Sequence, residues 1–331
     1  MSWKKTLNSM AAAQRRAERE SRKRQRELQR KQKEIEKMEE FERATYEVQV
    51  YENRVEVLKS IHKECGEEWD WEKIKDSPPP QEPQKSNNNE IQARKAVDEY
   101  KPGLSDKLLK RTDNKRLELE NAVEIARNDD EQEYQDALEE YKLQYADWKT
   151  NREIADKILA GDVQVYSEVI NQINPLAELS DIGSDFKFVA HSSKLVEGDL
   201  YVHSEDVIPN EAKSILKSGK LSVKNMTKTN YYGLYQDYVC GCLLRVAREL
   251  LALLPVEMVM VTAFSSLLNT KTGHFEEQPI LSLVIPKETL DNLNFEMIDP
   301  SDSMENFVHN MKFAKTKGFS VVEKVDSSVF V

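Results

Sequence analysis

The chain has 331 residues, of which 32% are charged, with a formal net charge of -11 and only 10 glycines. Globular chains average about 25% charged residues and about 7% glycine, so this composition indicates long solvated helices and excludes collagen-like and disulfide-dense classes. No stretch approaches the roughly 20 apolar residues of a membrane-spanning helix, and the amino terminus lacks a signal-peptide core, so we expect a cytoplasmic protein.

Charge and glycine are divided unevenly along the chain. Residues 1–40 carry a net charge of +6, residues 41–160 carry -9 and residues 161–331 carry -8. Seven of the ten glycines follow Gly161. The pattern predicts an α+β multidomain protein, in which a basic helical arm (1–40) and a helical stalk precede a C-terminal α/β domain with a mixed sheet (161–331).

The first stalk helix is predicted from an uninterrupted run of helix-forming residues between Ala11 and Glu72. Apolar side chains recur at spacings of three and four, which is typical of a coiled-coil seam. The seam residues are Phe41, Ala44, Val48, Tyr51, Val55, Leu58, His62 and Cys65. Residues 41–76 are therefore assigned to the stalk, and the proline- and asparagine-rich residues 77–89 to a disordered linker.

The second stalk helices occupy residues 90–160, where a short helix is stopped at Lys101–Gly103 and a long one follows from Ser105. A heptad stripe runs through Tyr134, Leu138, Tyr141, Tyr145, Trp148, Arg152, Ala155 and Leu159. The helices 12–72 and 105–160 would span about 90 and about 85 Å. Matching lengths and a joining linker predict a long antiparallel helical hairpin, with the tyrosines packed in its seam rather than stacking on bases.

Residues 161–331 alternate short strands with helices. The predicted strands are Phe186–His191, Asp199–His203, Lys220–Lys224, Glu257–Phe264, Ile280–Ile285 and Phe319–Val322. The predicted helices are Val163–Ile173, Tyr231–Leu254, Lys287–Leu293 and Ser303–Lys312. The strand–helix–strand unit 220–264 is expected to be a right-handed crossover between parallel strands.

Three segments of this half carry a resemblance: Tyr235–Glu257, Leu268–Gly273 and Pro279–Leu283. They resemble the C-terminal domain of a group of uncharacterised bacterial proteins, whose helical region is also similar to residues 46–68, including His62 and Cys65. The resemblance implies a bacterial origin and implies no particular activity.

Three residues support the hypothesis that the protein is a nuclease. Restriction-type nucleases place an Asp on one strand and Glu-x-Lys on the next, so that two carboxylates bind Mg²⁺ and the lysine stabilises the attacked phosphate. Asp199, Glu211 and Lys213 have this order and spacing. Glu-x-Lys is common in so charged a chain, and exposed loop or edge positions explain Glu211 and Lys213 as well. Mg²⁺ is predicted as a cofactor only if this nuclease hypothesis holds, and otherwise no cofactor is predicted.

Other reactive side chains form no motif. His62 and Cys65 have half the spacing of a zinc site, but no second pair follows, and Cys240 and Cys242 point to different sides of a helix. Neither a G-x-x-x-x-G-K nor a G-x-G-x-x-G phosphate loop occurs. His191, His203, His274 and His309 are scattered, so no Ser-His-Asp or Cys-His arrangement can be assembled.

The strongest local charge is a basic run near the amino terminus. It contains Arg15, Arg16, Arg19, Arg22, Lys23, Arg24, Arg26, Arg30, Lys31 and Lys33. These residues encircle one helix, and they favour nucleic acid, an acidic protein partner or a merely solvated helix end. The helix lacks the apolar face that membrane insertion requires.

Together these patterns favour a non-enzymatic interaction or scaffold protein that presents its α/β domain on a coiled-coil stalk and self-associates or binds a protein partner through it. A place in a multi-component bacterial system fits this architecture. The alternatives are the Mg-dependent nuclease and nucleic-acid binding through residues 1–33.

Overall fold

The computed structural model describes residues 40–102, 112–177, 184–202 and 207–330. Among these, residues 74–153 form one compact unit, and residues up to Lys73 together with those from Ile154 onward form a second. Apart from Glu40, the predicted basic arm lies outside the described residues.

The described α-helices are α1 (Glu40–Ser60), α2 (Trp71–Lys75), α3 (Asn88–Glu99), α4 (Thr112–Leu159), α5 (Val163–Ile173), α6 (Lys228–Leu253) and α7 (Lys287–Asp291). Short 3-10 turns lie at Ile61–Lys63, Asp302–Asn306 and Ser327–Val329. Helix α5 begins where the carboxylate of Asp162 accepts hydrogen bonds from the amides of Gln164 and Val165. No described helix combines the length and apolarity needed to cross a bilayer.

The first stalk helix differs from its prediction. Helix α1 ends at Ser60, and residues 64–70 are irregular. Its seam residues Ala44, Val48 and Leu58 are buried, but α1 packs against α6 and the strands β3 (Glu211–Ile215) and β4 (Leu221–Asn225). The apolar seam is therefore part of the α/β domain core. The structure does not show the predicted hairpin of two continuous helices, because α1 ends at Ser60 and packs on this domain.

Polar contacts hold the irregular segment on α6. Arg248 donates to the carbonyls of His62 and Lys63, at 2.6 and 3.1 Å. The Trp71 indole donates to the carbonyl of Leu253 at 2.7 Å. Because a carbonyl without a partner is costly to bury, these bonds favour a break in the helix over its continuation into a stalk.

In the first unit, the predicted disordered linker lies along α4. The Trp148 indole donates to the carbonyl of Ser77 at 2.8 Å, and Lys85 forms an ion pair with Glu131 at 2.5 Å. The carboxylate of Asp130 accepts from the backbone amides at the start of α3. Residues 77–87 have no helix, as their prolines predicted, and they make defined contacts with α4.

Between Ser77 and Pro83, burial repeats every three residues. Ser77, Pro80 and Pro83 are half-buried, and the residues between them are exposed. Three residues per turn is the period of a polyproline II helix, whose backbone needs no internal hydrogen bonds. The aromatic stripe of α4 is thus partly covered by an extended segment rather than by a second helix.

The second unit contains a five-stranded mixed sheet. Its strands are β1 (Ser184–Ala190), β2 (Leu195–Val202), β5 (Met258–Asn269), β6 (His274–Pro286) and β7 (Val308–Met311), in the order β1-β2-β5-β6-β7. Strands β3 and β4 form a separate hairpin, as do β8 (Phe313–Ala314) and β9 (Gly318–Phe319). The pair β2–β5 is parallel, and the other pairs in the sheet are antiparallel.

The crossover between parallel strands was predicted with the wrong partner strand for β5. We expected residues 220–224 to run parallel to residues 257–264, but β4 pairs with β3 and the parallel neighbour of β5 is β2. Residues 308–311, predicted as helix, form the edge strand β7. The apolar content of Glu257–Phe264 correctly indicated a central strand, since β5 is paired on both sides.

The two faces of β2 differ in character. Val196, Leu200 and Val202 are buried on the side covered by α6, which also contacts β5. The alternate residues Glu197 and Asp199 lie on the opposite face and are only half-buried. Strand alternation thus places a polar stripe on the sheet face opposite α6.

Candidate functional site

The sheet face opposite α6 carries a cluster of charged side chains, hereafter the sheet-face cluster: His191, Glu197, Asp199 and Lys324. Glu197 and Asp199 are two residues apart on β2 and therefore point the same way. His191 follows β1, and Lys324 belongs to the segment after β9. The site thus joins two neighbouring pieces of chain with a third that lies 125 residues beyond Asp199.

The ammonium of Lys324 bridges both carboxylates. Its Nζ lies 2.6 Å from Glu197 Oε1 and 2.6 Å from Asp199 Oδ1. The second oxygen of Glu197 is 2.5 Å from His191 Nε2. The Glu197 and Lys324 side chains are 13% and 33% exposed, so the ion pairs are only partly screened by water.

The pKa directions in the cluster follow from these contacts. Burial alone would raise the pKa of Glu197, but hydrogen bonds from Lys324 and His191 bring its pKa below the ordinary value. Burial alone would lower the pKa of Lys324, but Asp199 and Glu197 raise it. The arrangement therefore favours a bound ammonium between two carboxylates at neutral pH.

Aromatic rings and hydroxyls border the cluster. The Phe264 ring centroid lies 5.7 Å from Lys324 Nζ and stacks on Tyr201 at 5.2 Å. The hydroxyls of Thr262 and Ser282 are buried and 2.8 Å apart. A ring face beside paired carboxylates is an environment that attracts ammonium groups.

The structure separates the residues of the nuclease prediction. Asp199 is in the five-stranded sheet, whereas Glu211 and Lys213 are on β3 of the β3–β4 hairpin. Lys213 Nζ binds Glu47 on α1 at 3.0 Å, and Asp199 binds Lys324. Glu211 is exposed at the start of β3, as the alternative explanation expected of an edge position.

Sequence reasoning found Asp199 and missed its neighbours. The pattern Glu197-x-Asp199 within an alternating strand was the available signal, because period-two spacing puts both carboxylates on one face. Lys324 gives no local signal, because it lies 125 residues beyond Asp199 in the sequence and within an irregular segment.

The His62–Cys65 pair does not form a metal site. His62 is 1% exposed, and within the part of the chain described neither ring nitrogen makes a hydrogen bond of normal geometry. It borders a groove of about 560 Å³ between α1, α6 and residues 297–300. No group of three or more His, Cys, Asp or Glu side chains among the described residues is arranged to hold a metal ion.

The cysteines are poor nucleophiles in this structure. All three are free, and burial raises the pKa of Cys65 to about 11 and of Cys242 to about 12. Burial also raises the pKa of Cys240. Thiols with such values are protonated at neutral pH, so the two on α6 act as small core side chains.

The remaining candidates are scattered or undescribed. His309 Nδ1 lies 3.0 Å from the Phe307 carbonyl, and His274 is exposed at the β5–β6 turn. His203 and the basic run from Arg15 to Lys33 lie outside the described residues. Nucleic-acid binding through that run therefore stays a prediction.

Comparison with family models, with curated proteins and with solved structures found no match. The resemblance to a group of bacterial proteins, and the bacterial origin it implies, stay predictions.

Proposed function

We propose that the protein is a non-enzymatic interaction protein whose α/β domain binds a basic segment of a partner protein at the sheet-face cluster. The observation that carries this proposal is the ammonium of Lys324, held 2.6 Å from each of two carboxylates. A site that holds an ammonium of its own chain has the groups needed to hold one from a partner.

The charge of the chain supports a basic partner. Residues 161–331 carry a net charge of -8. A surplus of negative charge around a site accelerates encounters with cations and makes them sensitive to salt. A basic peptide is thus a better match to this domain than an acidic one.

A peptide array tests the proposal. Lysine-centred peptides and their glutamate counterparts are incubated with the full-length chain and with its Asp199→Asn variant. We expect lysine peptides to be preferred, and the preference to fall at least fivefold in Asp199→Asn. The control is Asp185→Asn, an exposed carboxylate on the neighbouring strand β1. Equal binding by Asp199→Asn and the unaltered chain would contradict the proposal.

Metal-dependent phosphodiester cleavage is a second candidate, with altered residues. Glu197, Asp199 and Lys324 supply the two carboxylates and the lysine that Asp199, Glu211 and Lys213 were expected to supply. Supercoiled plasmid is incubated with the protein and Mg²⁺ or Mn²⁺. Cleavage that disappears in Glu197→Gln would favour this candidate over a binding protein, and intact plasmid would remove it.

Self-association through the helical unit completes the proposal, in a cytoplasmic bacterial setting. Helix α4 leaves Ile125 and Leu143 61% and 50% exposed, and their 18-residue separation equals five helical turns, so they share one side. Light scattering should report an oligomer that Ile125→Lys/Leu143→Lys dissociates. A monomer in the unaltered protein would sink this part.

A further inference from the structure

The segment Ser320–Phe330 runs over the sheet face opposite α6, and its first part is firmly anchored. The Ser320 amide donates to the Lys312 carbonyl at 2.8 Å, and the Val322 amide donates to the Pro279 carbonyl at 2.9 Å. The Val322 side chain is 7% exposed. These contacts fix the point from which the rest of the segment extends.

The second part is held mostly by side chains. Within the described chain, the backbone from Lys324 to Phe330 makes one hydrogen bond to the rest of the domain, from the Val325 amide to the Ser282 hydroxyl at 3.0 Å. Val325 and Phe330 are partly buried on an apolar cluster. That cluster consists of Leu195, Met260 and Val284. With one such backbone bond, this part stays closed through the ion pairs of Lys324 and the apolar contacts of Val325 and Phe330, so a segment that offers the same contacts can replace it.

Opening would uncover a matched pair of surfaces. Glu197 and Asp199 would lose the ammonium that compensates them, and the side chain of Leu195, now 0% exposed, would face water. An incoming lysine followed directly by an apolar residue, as Val325 follows Lys324, would restore both interactions. Uncompensated, partly buried carboxylates disfavour an empty site.

Resting on the proposed function, we infer that the segment Lys324–Phe330 is an intramolecular ligand of the sheet-face cluster that a partner segment must displace. The partner segment carries a lysine followed directly by an apolar residue. The apparent affinity of the site for a partner is therefore its intrinsic affinity multiplied by the fraction of molecules in which the segment is open.

The test supplies the segment as a separate molecule. A fluorescent peptide with the sequence of residues 320–331 is titrated into the full-length chain, into its Lys324→Ala/Phe330→Ala variant, and into Lys317→Ala as a control. Lys317 is an exposed lysine on the preceding turn. We expect the double variant to bind at least tenfold more tightly than the other two, and a peptide with alanine at position 324 to lose that gain.

The outcomes separate this inference from the proposed function. Equal affinity for the unaltered chain and the double variant overturns the intramolecular ligand, even if the array shows a lysine preference. An array without lysine preference overturns the proposed function itself. Melting curves check that each variant is folded, and Lys324→Gln, which keeps Phe330, should give a gain of about threefold if the double variant fails to fold.

Discussion

His62 is an imidazole that the fold has enclosed, and neither ring nitrogen makes a hydrogen bond of normal geometry to the described residues. Burial lowers the pKa of His62 below its ordinary value of 6.5, and Lys63 and Arg248 lower it further. The Phe295 backbone and Asp299 act in the opposite direction but are weaker than burial. The side chain is therefore neutral in the folded protein at neutral pH.

This burial predicts acid-sensitive stability. Because the pKa of His62 is lower in the folded state, the unfolded chain takes up the proton first, and the free energy of unfolding falls as pH drops below about 6.5. The loss is at most about 1.4 kcal/mol per pH unit. Denaturant titrations at pH 7 and pH 5 should show a smaller difference in His62→Leu than in the unaltered chain.

The matched control is His274→Leu, at the exposed β5–β6 turn, which should keep the full pH dependence. An identical pH dependence in His62→Leu and the unaltered protein would show that other groups cause it.

Two glycines give opposite predictions for the same substitution. A Cβ at Gly198 would lie 2.6 Å from the Phe186 ring, whereas a Cβ at Gly233 on α6 would have open space. We expect Gly198→Ala to lower the free energy of unfolding by about 1–3 kcal/mol through overpacking. Gly233→Ala should leave it unchanged or raise it by up to about 1 kcal/mol, because alanine is the better helix former. Denaturation midpoints measure the free-energy change in both variants. An unchanged midpoint in Gly198→Ala would contradict the close packing of Gly198 against Phe186.

At the scale of elements, helix α6 explains why α1 belongs to the domain. Residues 238–247 are all buried, so the helix is covered on every side. The sheet covers one side, and α1 covers another. The turn Ile61–Lys63 packs on α6 at Gly241, where an added Cβ would lie in ordinary contact, 3.7 Å from the His62 backbone amide.

The sequence predicted most helices and the central strands because their apolar periods are local. It could not predict the partner of the α1 seam, since spacings of three and four suit a globular helix as well as a coiled coil. Strand β3 was missed because Glu211–Ile215 is short and polar, with exposed and half-buried side chains. Half of the candidate site was readable in Glu197-x-Asp199, but Lys324 is brought there by tertiary structure alone.

The extended segment of the first unit yields a matched pair of proline variants. Pro80 is half-buried and Pro79 is exposed. Losing about 1 kcal/mol of ring packing makes local opening roughly fivefold more frequent. Pro80→Ala should therefore raise the rate of trypsin cleavage after Lys85 about fivefold, and Pro79→Ala should not. Fast cleavage of the unaltered chain would instead favour the disordered linker that composition predicted.

On the scale of the whole molecule, charge is segregated along the chain. Residues 1–40 carry +6, and the remainder carries -17, from -9 and -8. Nucleic acid would be repelled by most of the surface, so any binding depends on the basic run.

Removing residues 1–33 tests that alternative. If the run binds nucleic acid, fluorescence anisotropy should show affinity for a labelled duplex that falls steeply between about 50 and 200 mM salt. Deletion should abolish it, whereas Lys213→Ala on β3 should not. Retained binding after deletion would place the contact elsewhere on the chain.

The contacts between the extended segment and α4 allow the lengths of the two stretches to be compared. Ser77 contacts Trp148 and Lys85 contacts Glu131, so eight residues of the extended segment lie beside seventeen residues of α4. At about 3.1 Å per residue for polyproline II and 1.5 Å for a helix, both stretches measure about 25 Å. One inserted residue would turn the half-buried positions outward. Three would restore their side, but they would make the segment about 9 Å longer than the helical stretch beside it. We therefore expect either insertion to break one of the two end contacts.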